Sequence, residues 1–107
     1  MHIVTEGHLK RACLKYPDAA KEISAWIRIV RQSRWMNFIE LRKTFPDADS
    51  VDEYVVFNFR HNRYRLITIP HYCRLKDGIK TMGHIYIRSF LTHKEYNDKR
   101  NWEKGVR

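Results

Sequence analysis

The stretch YVVFNFRHNRYRLITIP, residues 54–70, decides the fold, because here the apolar pattern changes from a helical period to a strict alternation. Residues 54–60 and 63–70 form two strand candidates around His61 and Asn62, and a two-residue turn there needs positive φ, which Asn tolerates better than most side chains. That register sets Phe59 against Tyr64, Phe57 against Leu66 and Val55 against Thr68 on a buried face. It sets Asn58 against Arg65 and Arg60 against Arg63 on the other face, with Val56, Ile67 and Ile69 further along. Opposed arginines cost stability, so they belong beside an anion or at a solvated tip; the plainer reading is a charged strand face whose aliphatic stems cover apolar neighbours.

Upstream the chain reads as helical. Leu9, Ala12, Cys13 and Tyr16 recur at helical spacing until Pro17, and Asp18 is a candidate cap for a second helix with the stripe Ile23, Trp26, Ile27 and Val30. Asn37 followed by Glu40 announces a third, short helix, with Met36 and Leu41 at staple positions and an end near Phe45 and Pro46. Asp47, Asp49, Asp52 and Glu53 read as a solvated connector facing away from any phosphate site. Downstream, residues 71–83 read as a basic loop or irregular hairpin, and strand character returns at residues 84–91, where alternation sets Arg88 between Tyr86 and Phe90 on one face. Thr92 and Glu95 form a capping box for a last short helix. The expected fold class is α+β: one domain, residues 1–107, with a small antiparallel sheet packed against N-terminal helices and a short C-terminal helix.

Charge is distributed unevenly. Residues 54–107 carry twelve Lys and Arg against four Asp and Glu, while residues 1–53 carry nine against eight. The net charge of +9 thus resides almost entirely in the strand-rich half, which favours a polyanionic partner. No apolar run approaches the roughly 18 residues of a spanning helix, and the amino terminus lacks the apolar core of a signal peptide, so a membrane partner is not expected and the cytoplasm is. Cys13 and Cys73 are expected as free thiols, since two cysteines make no disulfide framework.

Cutting RNA through its 2′ hydroxyl requires a base, positive charge for the pentavalent phosphate and an acid for the departing 5′ oxygen. His93, Lys94 and Tyr96 lie together beyond the last strand, with His93 and Tyr96 on one helical face. Histidine, with a reference pKa near 6.5, suits proton transfer better than tyrosine near 10, so Tyr96 is read as orienting a ribose or stacking on a base. Arg65 and Arg88, on adjacent strands, are expected to converge on one phosphate. The competing reading makes His93 an ordinary first-turn residue and Tyr96 a packing group, and Trp102 is expected to be a packing anchor. No cofactor motif is present; His71, Cys73 and His84 match no zinc pattern, and no carboxylate cluster suggests two-metal chemistry, so neither cofactor nor metal is expected.

The opening MHIV, the segment Trp35 to Pro46, VVFNF at 55–59, NRYRLITI at 62–69 and YIRSFLTHKEY at 86–96 together resemble HigB-type toxins, ribosome-dependent mRNA interferases of the RelE/ParE superfamily. The resemblance spans nearly the whole chain, and it is specific in the combination of NRYRL with IR followed by THKEY. It implies a RelE/ParE-like fold and an endoribonuclease that cuts mRNA in the A site of the 70S ribosome, held in check by a HigA-type antitoxin. By family pattern Arg65 matches the phosphate-contacting arginine, and Arg88, His93 and Tyr96 match catalytic or substrate-orienting positions. Asn58, Arg60, Arg63, Arg74, Lys76, Lys80 and Lys94 are expected RNA contacts. Two departures stand out: the segment between Pro70 and His84 exceeds the tight hairpin of close relatives, and Arg60 and His61 stand where Gly is common. The alternatives are a toxin of the same shape acting on gyrase and a non-catalytic RNA-binding module.

Overall fold

The structure, a computed structural model, describes residues 1–102. Three helices precede most of the sheet: α1 (Gly7–Lys15), α2 (Ala20–Gln32) and α3 (Phe38–Thr44). The strands are β1 (His2–Val4), β2 (Asp49–Val51), β3 (Tyr54–Phe59), β4 (Tyr64–His71), β5 (Leu75–Lys76), β6 (Ile79–Lys80) and β7 (His84–Thr92), and α4 (His93–Asn97) follows. The main sheet has the order β1-β7-β4-β3-β2, and β5 and β6 form a separate small hairpin. Among the described residues no helix is long and apolar enough to cross a membrane.

The β3–β4 hairpin has the register that alternation dictates: Phe59 pairs with Tyr64, Phe57 with Leu66, Val55 with Thr68 and Asn58 with Arg65. His61 and Asn62 adopt positive φ, and the Arg63 amide donates to the Arg60 carbonyl at 3.1 Å, closing the two-residue turn. Arg60 also has positive φ (51°), so it leaves the ladder before the turn.

Several expectations are corrected. The sheet is mixed, because β1 pairs in parallel with β7; an α+β protein results, but its sheet is not wholly antiparallel. The acidic connector contains an edge strand, β2, paired with β3. Asp18 does not cap α2, which follows a 3₁₀ turn at Pro17–Ala19, and its carboxylate reaches the hairpin instead. Finally, Ile67 pairs with Ser89 but Thr68 with Ile87, which makes Arg88 the extra residue of a β-bulge. The bulge resets the alternation: Phe90, opposite Leu66, packs on the helical side against Tyr64, while Arg88 lies over Tyr54 on the other side.

The helical side of the sheet is the main core. Leu9, Ile23, Trp26, Val30 and Leu41 meet Val55, Phe57, Leu66, Ile85 and Ile87, with Trp26 and Phe45 both edge-on to Phe57. On the opposite side Tyr54, Val56 and Ile67 are covered by Trp102, with Leu91 and Tyr96 at the margin. Trp102 is 2% exposed and its indole Nε1 donates to the Tyr96 carbonyl, so it anchors the tail as expected.

Two glycines carry different constraints. Gly78 (φ 76°) turns the β5–β6 hairpin with open space around it, whereas a Cβ on Gly83 (φ 72°) would lie 2.9 Å from the His71 carbonyl oxygen and 3.0 Å from Cys73 Sγ. Gly78→Ala is expected to cost about 1–2 kcal/mol from the left-handed backbone alone. Gly83→Ala should cost clearly more, as read from urea midpoints of the two variants; equal losses would contradict the close approach.

Candidate nucleic-acid interface

The hairpin turn is clamped from the helical layer. Asp18 accepts from the Tyr64 hydroxyl and from Arg63 Nη1, each at 2.9 Å, and Glu22 accepts from the Arg60 amide at 2.8 Å. From the sheet side the His93 amide donates to the Arg63 carbonyl at 2.9 Å. Thr92 and Glu95 form the capping box read from the sequence, which fixes the start of α4 and therefore where His93 projects. The result is a concavity of about 480 Å³ lined by Arg60, His61, Asn62, Arg63 and His93: two guanidinium groups, two imidazoles and an amide, with no carboxylate in the lining.

Arg65 lies next to it. Its Nη1 donates to the Asn62 carbonyl at 2.9 Å, and its guanidinium carbon sits 5.4 Å from the centre of the Tyr96 ring. Burial pushes the Tyr96 phenol above its ordinary value; Arg65 opposes that shift and Asp49 adds to it. The Tyr96 phenol is therefore protonated at neutral pH and available to donate a hydrogen bond. Asp49 belongs to the edge strand β2, so part of the acidic connector lies in the sheet.

Arg88 shares this side of the sheet but not the partners of Arg65. Its Nε donates to the Trp102 carbonyl at 3.1 Å and its guanidinium carbon lies 5.9 Å from the centre of the Tyr54 ring. Tyr96 stacks on Trp102 at 5.1 Å, and Trp102 meets Tyr54 edge-on at 5.4 Å. The two arginines thus bracket a run of three rings, where a single shared phosphate was expected.

The other expected contacts divide into two groups. Arg60 and Arg63 line the concavity, Lys94 is exposed on α4, and Asn58 is half-buried with its Nδ2 donating to the Asp47 carbonyl. Arg74, Lys76 and Lys80 are exposed on the β5–β6 hairpin, beyond the far end of β4 from His93. His61, a turn residue by sequence, lines the concavity with His93; its place at a turn that needs positive φ is the available signal. Among the described residues no group of three His, Cys, Asp or Glu side chains is arranged to hold a metal ion. Cys13 and Cys73 are free thiols.

With this geometry in place, the comparison with known proteins gives a class. The HigB_toxin family model, described as the RelE-like toxic component of a toxin-antitoxin system, matches residues 19–99, and the chain belongs to that family. It is 30% identical over 100 residues to the mRNA interferase toxin HigB of Escherichia coli (strain K12), an alignment covering 91% of this chain and 88% of that protein. The proteins named mRNA interferase HigB from Escherichia coli O157:H7 and Shigella flexneri match to the same extent.

The clamp has a pH signature. The Asp18 carboxyl is held below its ordinary value, first by the Tyr64 hydroxyl and then by Arg63. Its contribution to stability is therefore full above the unfolded carboxyl value of about 3.9 and is lost as pH falls through the depressed folded value. Urea midpoints measured down the acid range should decline less steeply for Asp18→Asn than for wild type; identical slopes would contradict the clamp.

Proposed function

We propose that this protein is a ribosome-dependent mRNA interferase of RelE/ParE-like fold, an endoribonuclease toxin that cuts mRNA in the ribosomal A site and so arrests translation in the cytoplasm. The observation that carries the reading is the carboxylate-free concavity of Arg60, His61, Asn62, Arg63 and His93 beside Arg65, in a chain of the HigB toxin family. A HigA-type antitoxin would neutralise it.

The chemistry follows from the groups present. His93 accepts the proton of the 2′ hydroxyl as the 2′ oxygen bonds to the adjacent phosphorus, and the bond to the 5′ oxygen breaks as that oxygen takes a proton from an imidazolium, for which His61 is placed on the same concavity. The products are a 2′,3′-cyclic phosphate and a 5′ hydroxyl, with no metal in either proton transfer. Arg65 stabilises the pentavalent phosphate, and Arg63, already shared with Asp18, supplies a second cation at the rim. Tyr96, protonated and half-buried, orients the nucleotide. Arg88 enters as a positioning residue, because its bond to the Trp102 carbonyl holds the ring on which Tyr96 stacks. An open, shallow site of this kind aligns a flexible strand poorly by itself, and a codon fixed in the A site would supply the alignment.

Mapping of RNA ends in translating and translation-blocked extracts tests the proposal. Wild type should leave 5′ hydroxyl and cyclic phosphate ends in the translating extract alone, and Arg65→Ala and His93→Ala should each lower cleavage by about 100-fold or more. Ends bearing a 5′ phosphate would overturn the mechanism, and equal cutting in both extracts would overturn the dependence on the ribosome.

A further inference from the structure

The far end of the same sheet face carries an arrangement that the proposed cleavage chemistry does not use. His2, His84 and His71 are direct cross-strand partners on β1, β7 and β4, so three imidazoles lie in one row across three adjacent strands. Tyr86, two residues along β7, joins them: its ring centre is 5.0 Å from that of His71 and 6.4 Å from that of His84, while His2 and His84 are 5.8 Å apart. All three histidines are exposed and Tyr86 is 41% exposed.

The alternation of β7 and β4 fixes which way the row faces. Tyr86 pairs with Ile69, which packs with Tyr54, Val56 and Ile67 on the side away from α1 to α3, and residues 84 and 71 are each two positions from that pair. The row therefore lies on the side that carries Arg65 and Tyr96, at the other end of the strands. Seven residue steps along β4 lead from Tyr64 to His71, roughly 23 Å at about 3.3 Å per step.

Beside the row is a concavity of about 620 Å³, lined in part by His71, His84, Arg74 and Met82. Arg74 leads into the β5–β6 hairpin with Lys76 and Lys80, and Asp77 is the one carboxylate between residues 71 and 83. Exposed ring faces flanked by cations and almost free of carboxylates suit the bases and phosphates of a single strand, which stack on aromatic side chains and track a basic groove.

We propose that the His2, His71, His84 and Tyr86 row, with Arg74, is a second RNA subsite that stacks bases of the single strand leading away from the hairpin end of the sheet. It rests on the proposed endoribonuclease reading and extends it: the strand crosses the sheet face from one end to the other. The long basic segment between β4 and β7 is then an outer wall of the RNA track.

Fluorescence anisotropy with a labelled, 2′-O-methylated single-stranded RNA of about ten nucleotides, which cannot be cut by 2′-oxygen attack, tests it directly. The double variant Tyr86→Thr with His84→Thr keeps strand-forming residues and should bind about ten-fold more weakly, whereas Tyr86→Phe, which keeps the ring, should stay within about two-fold of wild type. Arg74→Ala, outside the main sheet, should weaken binding and reduce the salt slope by about one. Unchanged affinity in the double variant and Arg74→Ala, or no binding by wild type, would overturn the subsite. If wild type cuts in translating extract while these binding results fail, the subsite alone is wrong; if the binding results hold and nothing is cut, the proposed activity alone is wrong.

Discussion

The carboxylate of Asp18 is the point on which the rest of the basic face depends. It leaves the helical layer to hold both the Tyr64 hydroxyl and the Arg63 guanidinium, while Glu22 one helical turn later takes the Arg60 amide. An exposed ion pair by itself contributes little to stability. Here the effect is geometric: a turn with three consecutive positive-φ residues, Arg60 to Asn62, followed by Arg63, is tied to helices that are themselves packed on the sheet. Because the Arg63 carbonyl in turn receives the His93 amide, the clamp also fixes the start of α4. A few negative groups on the inner side thus allow a concentration of positive charge on the outer side.

The sheet face away from α1 to α3 is divided by the tail. One part is closed by Trp102, stacked on Tyr96 and edge-on to Tyr54, and this plug is fastened by Arg88 through the Trp102 carbonyl. The bulge makes this possible, since an extra residue in β7 sends Arg88 outward and still lets Phe90 return to the main core. Among the described residues, the part beyond the plug is uncovered and carries the histidine row. Packing against Trp102 thus leaves, among the described residues, cationic and aromatic groups exposed at both ends of one surface, an arrangement that suits a strand better than a compact ligand.

Local chemistry was legible in the sequence, and long-range geometry was not. The β3–β4 register follows from alternation about a turn that needs positive φ, and the Asn37 and Thr92 caps follow from an acidic residue three positions on. Each signal lies within a few residues. The bulge at Arg88 has no periodicity of its own, so a strict alternation put Arg88 and Phe90 on one side. β1 and β2 are three residues each, too short to show a period; β1 pairs with the distant β7, while β2 pairs with the β3 strand that follows it. Asp18 looked like a helix cap because nothing nearby reveals that Tyr64 lies across from it. The sequence names the candidate RNA contacts without their place along the sheet, and their separation into two ends depends on β4 and β7 running the length of the sheet.

In the proposed function, RNA lies along the sheet face opposite the three N-terminal helices. Ultraviolet cross-linking of the His93→Ala variant on translating ribosomes, followed by identification of the RNA-bearing peptides, tests it most directly. Cross-links are expected in peptides containing residues 61–65 and 84–96. Cross-links confined to α1, α2 and α3, with the strands unmarked, would contradict it.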